Sequence, residues 1–282
     1  MLIFETAQAM QAWCKQQKKA GQTIGLVPTM GYLHQGHLSL VQEARRQCDR
    51  VVVSIFVNPI QFGVGEDLDK YPRDLSGDCQ LLEEAQTDAV FAPSARDMYP
   101  EAYATFVEME GTITNRLCGA SRPGHFRGVT TVVSKLFNIC LPDQAFFGQK
   151  DAQQVLVIEK MVRELNFPLE IVRVPIKREA DGLAMSSRNV YLSSEQRRQA
   201  LVLSQALQQA GAIIGQGERD PAKIIAGMQT RIESAPEARI DYIEIYRAED
   251  LADIKQIEGK VLIALAVKFG NTRLIDNLLV EV

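Results

Sequence analysis

Apolar runs at residues 24–27 and 51–57, the second interrupted only by Ser54, flank a stretch in which Leu40, Val41, Ala44 and Cys48 recur at spacings near 3.6. Short continuous runs suit strands buried on both faces, and the recurring face suits an amphipathic helix, so this region predicts a βαβ unit. The same patterning predicts helices over 6–20, 75–84, 129–139 and 153–165. It predicts strands over 88–92, 145–148 and 169–174, with a short edge strand over 105–109. A Gly- and Asp-rich loop covers 63–69, and residues 121–128 read as a structured turn punctuated by Pro123 and Gly124. Beyond Pro175 the order changes to helices over 194–214 and 221–232, then an alternation at Ile240, Tyr242, Ile243 and Ile245, and a strictly apolar strand over 261–267. Helices followed by antiparallel strands mark a small α+β domain. The expected fold is therefore α/β, with a Rossmann-like parallel sheet over residues 1–175 and a small α+β domain over 176–282 acting as a lid.

Composition narrows the class. With 282 residues, 46% hydrophobic and 23% charged, the chain is an ordinary globular protein with room for two domains. A net charge of -4 speaks against a nucleic-acid partner, which calls for a basic face. The run over 261–267 is too short to span a bilayer, so no membrane partner is expected. The five cysteines are scattered without a Cys-x-x-Cys pair, and the N-terminus has no basic leader with an apolar core. Both features point to reduced thiols in a cytoplasmic protein.

Candidate chemistry concentrates between the first strand and its helix, in Pro28-Thr29-Met30-Gly31-Tyr32-Leu33-His34-Gln35-Gly36-His37. In a βαβ unit this loop meets the helix N-terminus, whose free N–H groups and dipole favour phosphate. Histidines at i and i+3 lie on one side of the first helical turn, facing such a phosphate. No Gly-x-Gly-x-x-Gly and no Walker lysine loop is present, so a dinucleotide fold and a P-loop enzyme are unsupported. Instead, the His-x-Gly-His element resembles the signature of the nucleotidylyltransferase superfamily, which includes the class I aminoacyl-tRNA synthetases. The same pair also fits half of a zinc site, for which the one remaining histidine, His125, would have to be recruited.

Three further stretches stand where a parallel sheet places its ligands. Asn58 and Gln61 follow the strand over 51–57, at its carboxyl end. Gly148, Gln149, Lys150 and Asp151 close the strand over 145–148 ahead of a helix, repeating the logic of the opening motif, and the lysine suits phosphate. The polar loop 181–189 carries Met185, Ser186, Ser187 and Arg188, with hydroxyls and a guanidinium suited to a triphosphate tail. Each also has a plain structural reading: turn formers at 58–61, a helix cap at Asp151, solvated side chains elsewhere.

Taken in order, PTMGYLHQGH, SIFVNPIQF, RPGHFRGV, FFGQKDAQQ and DGLAMSSRN resemble the pantothenate synthetase family, ATP-dependent ligases that join pantoate to β-alanine. The likeness runs from about Leu26 to Leu192, with a weaker echo at Arg273-Leu274-Ile275-Asp276-Asn277, and it takes up all three histidines. It implies that ATP, as substrate with Mg2+ on its triphosphate, meets Met30, His34, His37, Gly148, Gln149, Lys150, Asp151, Met185, Ser186, Ser187 and Arg188. It implies that Gln61 and Gln154, with Asn58 beside them, hold pantoate and β-alanine, and that His34, His37, Lys150 and Arg188 carry the catalysis. No protein-held metal is expected, and the family commonly forms homodimers. The chain departs from the pattern at Gln149, where many relatives have glutamate, and at Gln35, where an acidic residue is common. Two other classes stay open on the residues: a nucleotidylyltransferase stopping at a phosphoanhydride, and a nucleotide-sensing module without turnover.

Overall fold

The computed structural model describes residues 1–63 and 65–282; Val64, within the expected loop 63–69, lies outside the described residues. The chain forms two compact units. The first comprises Met1–Glu110, Arg122–Gln149 and Val157–Pro175, and the second Gly111–Ser121, Lys150–Leu156 and Ile176–Val282.

The first unit is built on a parallel sheet. Its strands are β1 (Leu2–Phe4), β2 (Ile24–Thr29), β3 (Arg50–Ile55), β4 (Ala89–Phe91), β5 (Gln144–Gly148) and β6 (Glu170–Val174), in the order β1-β4-β3-β2-β5-β6. Its main helices are α1 (Ala7–Lys19), α2 (Gln35–Gln47), α3 (Leu75–Glu84) and the one-turn α4 (Ala95–Met98). A second one-turn helix, α5 (Cys118–Ser121), falls in the other unit, and the chain returns with α6 (His125–Cys140). Helix α7 (Ala152–Glu164) follows β5. Val27, Val51, Val53 and Val90 point to one face, where they bury against Leu38, Leu40, Val41 and Ala44 of α2 and Leu82 of α3. Leu26, Val52 and Phe91, equally buried, alternate to the other face, where α1 and α6 lie. Both faces are covered, which is why the strands read as continuous apolar runs.

The second unit is an antiparallel meander of β7 (Ala238–Arg247), β8 (Lys260–Phe269) and β9 (Thr272–Glu281), with α8 (Ser194–Gln199), α9 (Val202–Gly215) and α10 (Pro221–Glu233). Leu203, Leu207, Ala210 and Ile214 of α9 and Ile224, Met228 and Ile232 of α10 pack on Val261, Ile263, Leu265 and Val267 of β8. On the sheet's other side, Tyr242 lies against the Cys118 thiol and Tyr246 beneath the Arg116 guanidinium.

Four expectations change. Residues 105–109 are not a strand: the N–H and C=O of Val107 bond the hydroxyls of Thr131 and Thr130 on α6 instead of a neighbouring strand. Helix α6 starts at His125, not Val129, because Gly124 takes a left-handed φ of 79° and turns the chain straight into it. The expected helix over 194–214 is two, parted at Ala200 and Leu201. Strands β1 and β9 were not expected at all. β1 is three residues long with Leu2 and Ile3 half-exposed, and β9 carries Asp276 and Asn277 buried in its middle, where alternation calls for apolar side chains.

Candidate active site

The sheet itself marks the place. From β2 the chain steps outward through β3 and β4, then crosses back to lay β5 on the other side of β2, so the strand order reverses between β2 and β5. Their ladder holds Gly25 to Gln144 and Leu26 to Ala145; both strands run on past it, to Thr29 and Gly148. The sheet therefore parts at its carboxyl edge at a topological switch point, where open α/β sheets take their ligands.

The loop leaving β2 is held from beneath. Thr29 Oγ1 donates to Ser54 O at 2.7 Å and accepts the Gly31 N–H at 3.2 Å. The carboxylate of Asp78, on α3 and 3% exposed, accepts the Tyr32 and Leu33 N–H groups at 2.8 and 2.6 Å. Burial raises the Asp78 carboxyl above its ordinary range, against the two backbone donors that favour its charged form. Gly31 adopts a φ of 82°, and a Cβ there would lie 2.9 Å from the Asp78 carboxylate. The sequence reading missed Asp78; the signal was a carboxylate one helical turn from Leu82, on the buried face of α3.

The two motif histidines cap α2. His34 Nδ1 accepts the Gly36 N–H at 3.1 Å, and His37 Nδ1 accepts the His34 N–H at 3.3 Å, with the rings tilted by 35° and 4.1 Å apart between centroids. An imidazole whose Nδ1 accepts carries its neutral-form proton on Nε2. The cap thus sets both rings as Nε2–H donors at the positive end of a helix.

A second cluster follows β3, on a 3₁₀ turn at Pro59–Gln61. Gln61 is nearly buried, and its amide donates to Met30 Sδ at 3.0 Å, linking this turn to the opening motif. Asn58 is 1% exposed. Its amide donates to Gln61 Oε1 at 3.1 Å and Gly128 O at 3.0 Å, and its oxygen accepts the Tyr99 hydroxyl at 2.8 Å. Asn58 is therefore engaged by protein, and what it orients is Gln61. The backbone oxygen of Gln61 meets His125 Nδ1 at 2.9 Å; Arg122 Nη1 meets His125 Nε2 at 3.1 Å, and Arg122 Nη2 donates to Glu66 at 2.6 Å and to Gln61 O at 3.4 Å. Burial works to raise the Glu66 carboxyl, but the Arg122 hydrogen bonds and charge bring it below its usual value. A cavity of about 280 Å3 lies against the turn, bordered by Phe62, Phe106 and Arg127.

Gly148 ends β5 and Gln149 opens the 3₁₀ turn that follows, both in the same unit. The remaining candidates belong to the second unit. There the Lys150 carbonyl accepts the Asn277 amide at 2.9 Å. Asp276, beside Asn277, pairs with Arg178 at 2.6 and 2.9 Å. Asp151 closes the 3₁₀ turn ahead of α7. The adjacent glutamines of α7 differ: Gln153 is buried, its side chain accepting the Cys118 N–H and donating to Ile113 O and Arg116 O, whereas the Gln154 side chain makes no hydrogen bond among the described residues. In the loop after β6, Arg178 bridges to Ala184 and donates to Gly182 O, and Asn189 ties to Glu179 and Ala184 O. These fasten the ends of the Met185–Arg188 stretch, where Ser186 accepts the Arg188 N–H to cap a 3₁₀ turn and Ser187 is buried. Arg178, Asp276 and Asn277 are the positioning residues that the sequence reading left unassigned. Among the described residues there is no cluster of three or more His, Cys, Asp or Glu side chains able to hold a metal, and no helix is long and apolar enough to cross a membrane.

Comparison with known proteins gives a consistent result. The pantoate-beta-alanine ligase family model matches residues 2–279. A pantothenate synthetase of Syntrophomonas wolfei is 66% identical over 282 residues, covering 100% of both chains, and one of Acetivibrio thermocellus is 58% identical with the same coverage. Among solved structures, a pantothenate synthetase from Thermus thermophilus matches with a TM-score of 0.94 at 47% identity over 99% of each chain. A pantoate-beta-alanine ligase from Francisella tularensis, complexed with beta-gamma ATP and beta-alanine, matches with a TM-score of 0.84 at 35% identity, over 99% of this chain and 97% of that one.

Proposed function

The chain belongs to the pantoate-beta-alanine ligase family, and from that premise we propose that it condenses pantoate with β-alanine, using ATP and releasing AMP and pyrophosphate. The observation that supports the residue-level reading is the capping box at the start of α2, which occupies both Nδ1 atoms of His34 and His37 and leaves each Nε2 to donate, on the loop that leaves β2 beside the reversal of strand order.

The pantoate carboxylate attacks the α-phosphorus in line; its C–O–P bond forms as the bond to pyrophosphate breaks, leaving pantoyl adenylate. His34 and His37 donate to the phosphoryl oxygens as charge grows there, and Lys150 and Arg188 meet the leaving phosphates. ATP enters as its Mg2+ complex, the ion neutralising the triphosphate. Met30, Gly148, Gln149, Asp151, Met185, Ser186 and Ser187 complete the nucleotide contacts in this reading. Gln61 and Gln154 orient pantoate through neutral amides, which fix a carboxylate without withdrawing its nucleophilic charge as a close arginine pair would. Asn58 serves by holding the Gln61 amide. The β-alanine amine then attacks the acyl carbon, expelling AMP and losing a proton. The 176–282 segment acts as the lid of a cytoplasmic homodimer; the free cysteines suit a reducing compartment, and the dimer rests on the family likeness.

Incubation with MgATP, pantoate and β-alanine tests the function. AMP and pantothenate should appear together, each requiring both acids. A phosphoanhydride product without β-alanine dependence, or ADP in place of AMP, would overturn it.

A further inference from the structure

The segment Arg122-Pro123-Gly124-His125 is not used by the chemistry above, yet it fastens the turn that carries Gln61. Arginine only donates, so the His125 Nε2 lying 3.1 Å from Arg122 Nη1 must accept. A carbonyl only accepts, so the Nδ1 lying 2.9 Å from Gln61 O must carry the proton. The two contacts demand the same neutral tautomer and so determine it twice over. Arg122 is itself fixed by both oxygens of Glu66, through Nε at 2.7 Å and Nη2 at 2.6 Å. The turn needs such a brace because one side of it borders the cavity of about 280 Å3, where packing cannot resist displacement. Gly128 of α6, which lines the same cavity, comes so close that a Cβ on it would meet the Gln61 Cα at 2.5 Å.

We propose that His125 is a positioning residue for pantoate: its Nδ1–H, aimed by the Glu66–Arg122 pair, holds the Gln61 carbonyl so that the Gln61 amide stands at the pantoate carboxylate. The proposal rests on the assignment of Gln61 to pantoate. In this role His125 acts through the turn.

The test exploits which ring nitrogen does the holding. An asparagine amide nitrogen falls near the place of Nδ1, a glutamine amide nitrogen near that of Nε2, and phenylalanine fills the ring volume with no donor. H125F and H125Q should raise the pantoate KM by about tenfold, the scale of one lost positioning hydrogen bond, with the ATP KM within about twofold of the parent. H125N should stay within about threefold on both. In a Q61A background, H125F should add nothing to the pantoate KM, because the group that it positions is already gone. R122M, which keeps the histidine but frees its tautomer and removes the 3.4 Å contact of Arg122 Nη2 with Gln61 O, should move the pantoate KM in the same direction and serves if H125F does not fold. Equal effects of the asparagine, glutamine and phenylalanine variants, parallel rises in both KM values, or full additivity with Q61A would each overturn the proposal. An unchanged pantoate KM in Q61A alone would instead remove the Gln61 assignment, and with it the premise; a raised one with silent His125 and Arg122 variants removes only the positioning role.

Discussion

Gly128→Ala is the sharpest perturbation that the fold offers. In α6 the exchange should stabilise the helix by about 1 kcal/mol, since alanine is the better helix former. The site opposes it: the new Cβ would lie 2.5 Å from both the Gln61 Cα and the Ile60 carbonyl oxygen and 2.7 Å from the Gln61 nitrogen, all backbone atoms, where ordinary contact begins at 3.4 Å. Helix and turn must separate by about 0.9 Å, the difference between 3.4 and 2.5 Å. Overpacking of this kind costs about 1–3 kcal/mol. The separation also stretches the Asn58 to Gly128 O bond, now 3.0 Å, and the His125 to Gln61 O contact, now 2.9 Å, each worth about 0.5–1.5 kcal/mol. The sum less the helix gain is a net destabilisation of about 1–5 kcal/mol, read as a lower urea midpoint. Because a displacement near 1 Å at a positioning group costs on the order of 100-fold, kcat/KM for pantoate should fall by that order while ATP binding holds. A variant more stable than the parent by about 1 kcal/mol, with normal pantoate kinetics, would show that intrinsic helix propensity wins and that the contact does not constrain the turn.

His37→Ala removes one of the two Nε2–H donors and should slow turnover on the order of 100- to 1000-fold; near-normal turnover in a folded variant takes His37 out of the mechanism. Labelled pyrophosphate should exchange into ATP with pantoate and Mg2+ alone, and Arg188→Ala should slow that exchange far more than amide formation from preformed pantoyl adenylate. A requirement for β-alanine in the exchange refutes the two-step order. Glu66 has its folded pKa lowered from an ordinary 4.5, so its pairing contributes stability that is present above 4.5 and lost as pH falls through the lower folded value. Urea midpoints taken from about pH 6 to about pH 3.5 should drop less steeply in Glu66→Gln, and an unchanged slope contradicts this. Burial pushes the Cys14 thiol up to about 12, Cys48 up to about 11 and Cys140 well above its usual value, so all three should resist thiol reagents at neutral pH until the protein unfolds. Labelling of any of them in the native state argues against that burial.

What was legible in the sequence was what local pattern carries. The runs flanking Pro28–His37 are buried on both faces, so β2, α2 and β3 stood out without help from the rest of the chain. The strand over 261–267 was equally plain because β8 is covered on both sides. Local pattern failed where a long-range partner decides the outcome. Residues 105–109 have strand-like alternation, yet two threonine hydroxyls of α6 take the Val107 backbone groups that a neighbouring strand would need. Strand β9 escaped because Asp276 and Asn277 occupy buried positions; they are tolerated by Arg178 and the Lys150 carbonyl, remote in sequence. At the candidate site, the histidines and glutamines to which the proposed function gives the chemistry stand out by their motifs. Their supports do not: Asp78, Glu66 and Arg178 act through partners dozens of residues away, and no local spacing announces such pairs.

The buried carboxylate under Tyr32 and Leu33 bears on how far the opening motif can travel. Residues 28–37 do not encode their own shape, since the two N–H groups that fix the bend are satisfied from α3, more than forty positions downstream, and Gly31 is sized to that same carboxylate. Transplanted alone into another strand-to-helix junction, the segment would bring its histidines without the surface that aims them. The portable unit is discontinuous: the ten-residue loop together with one helical turn around Asp78, a module defined by a hydrogen-bonded seam and not by an interval of sequence.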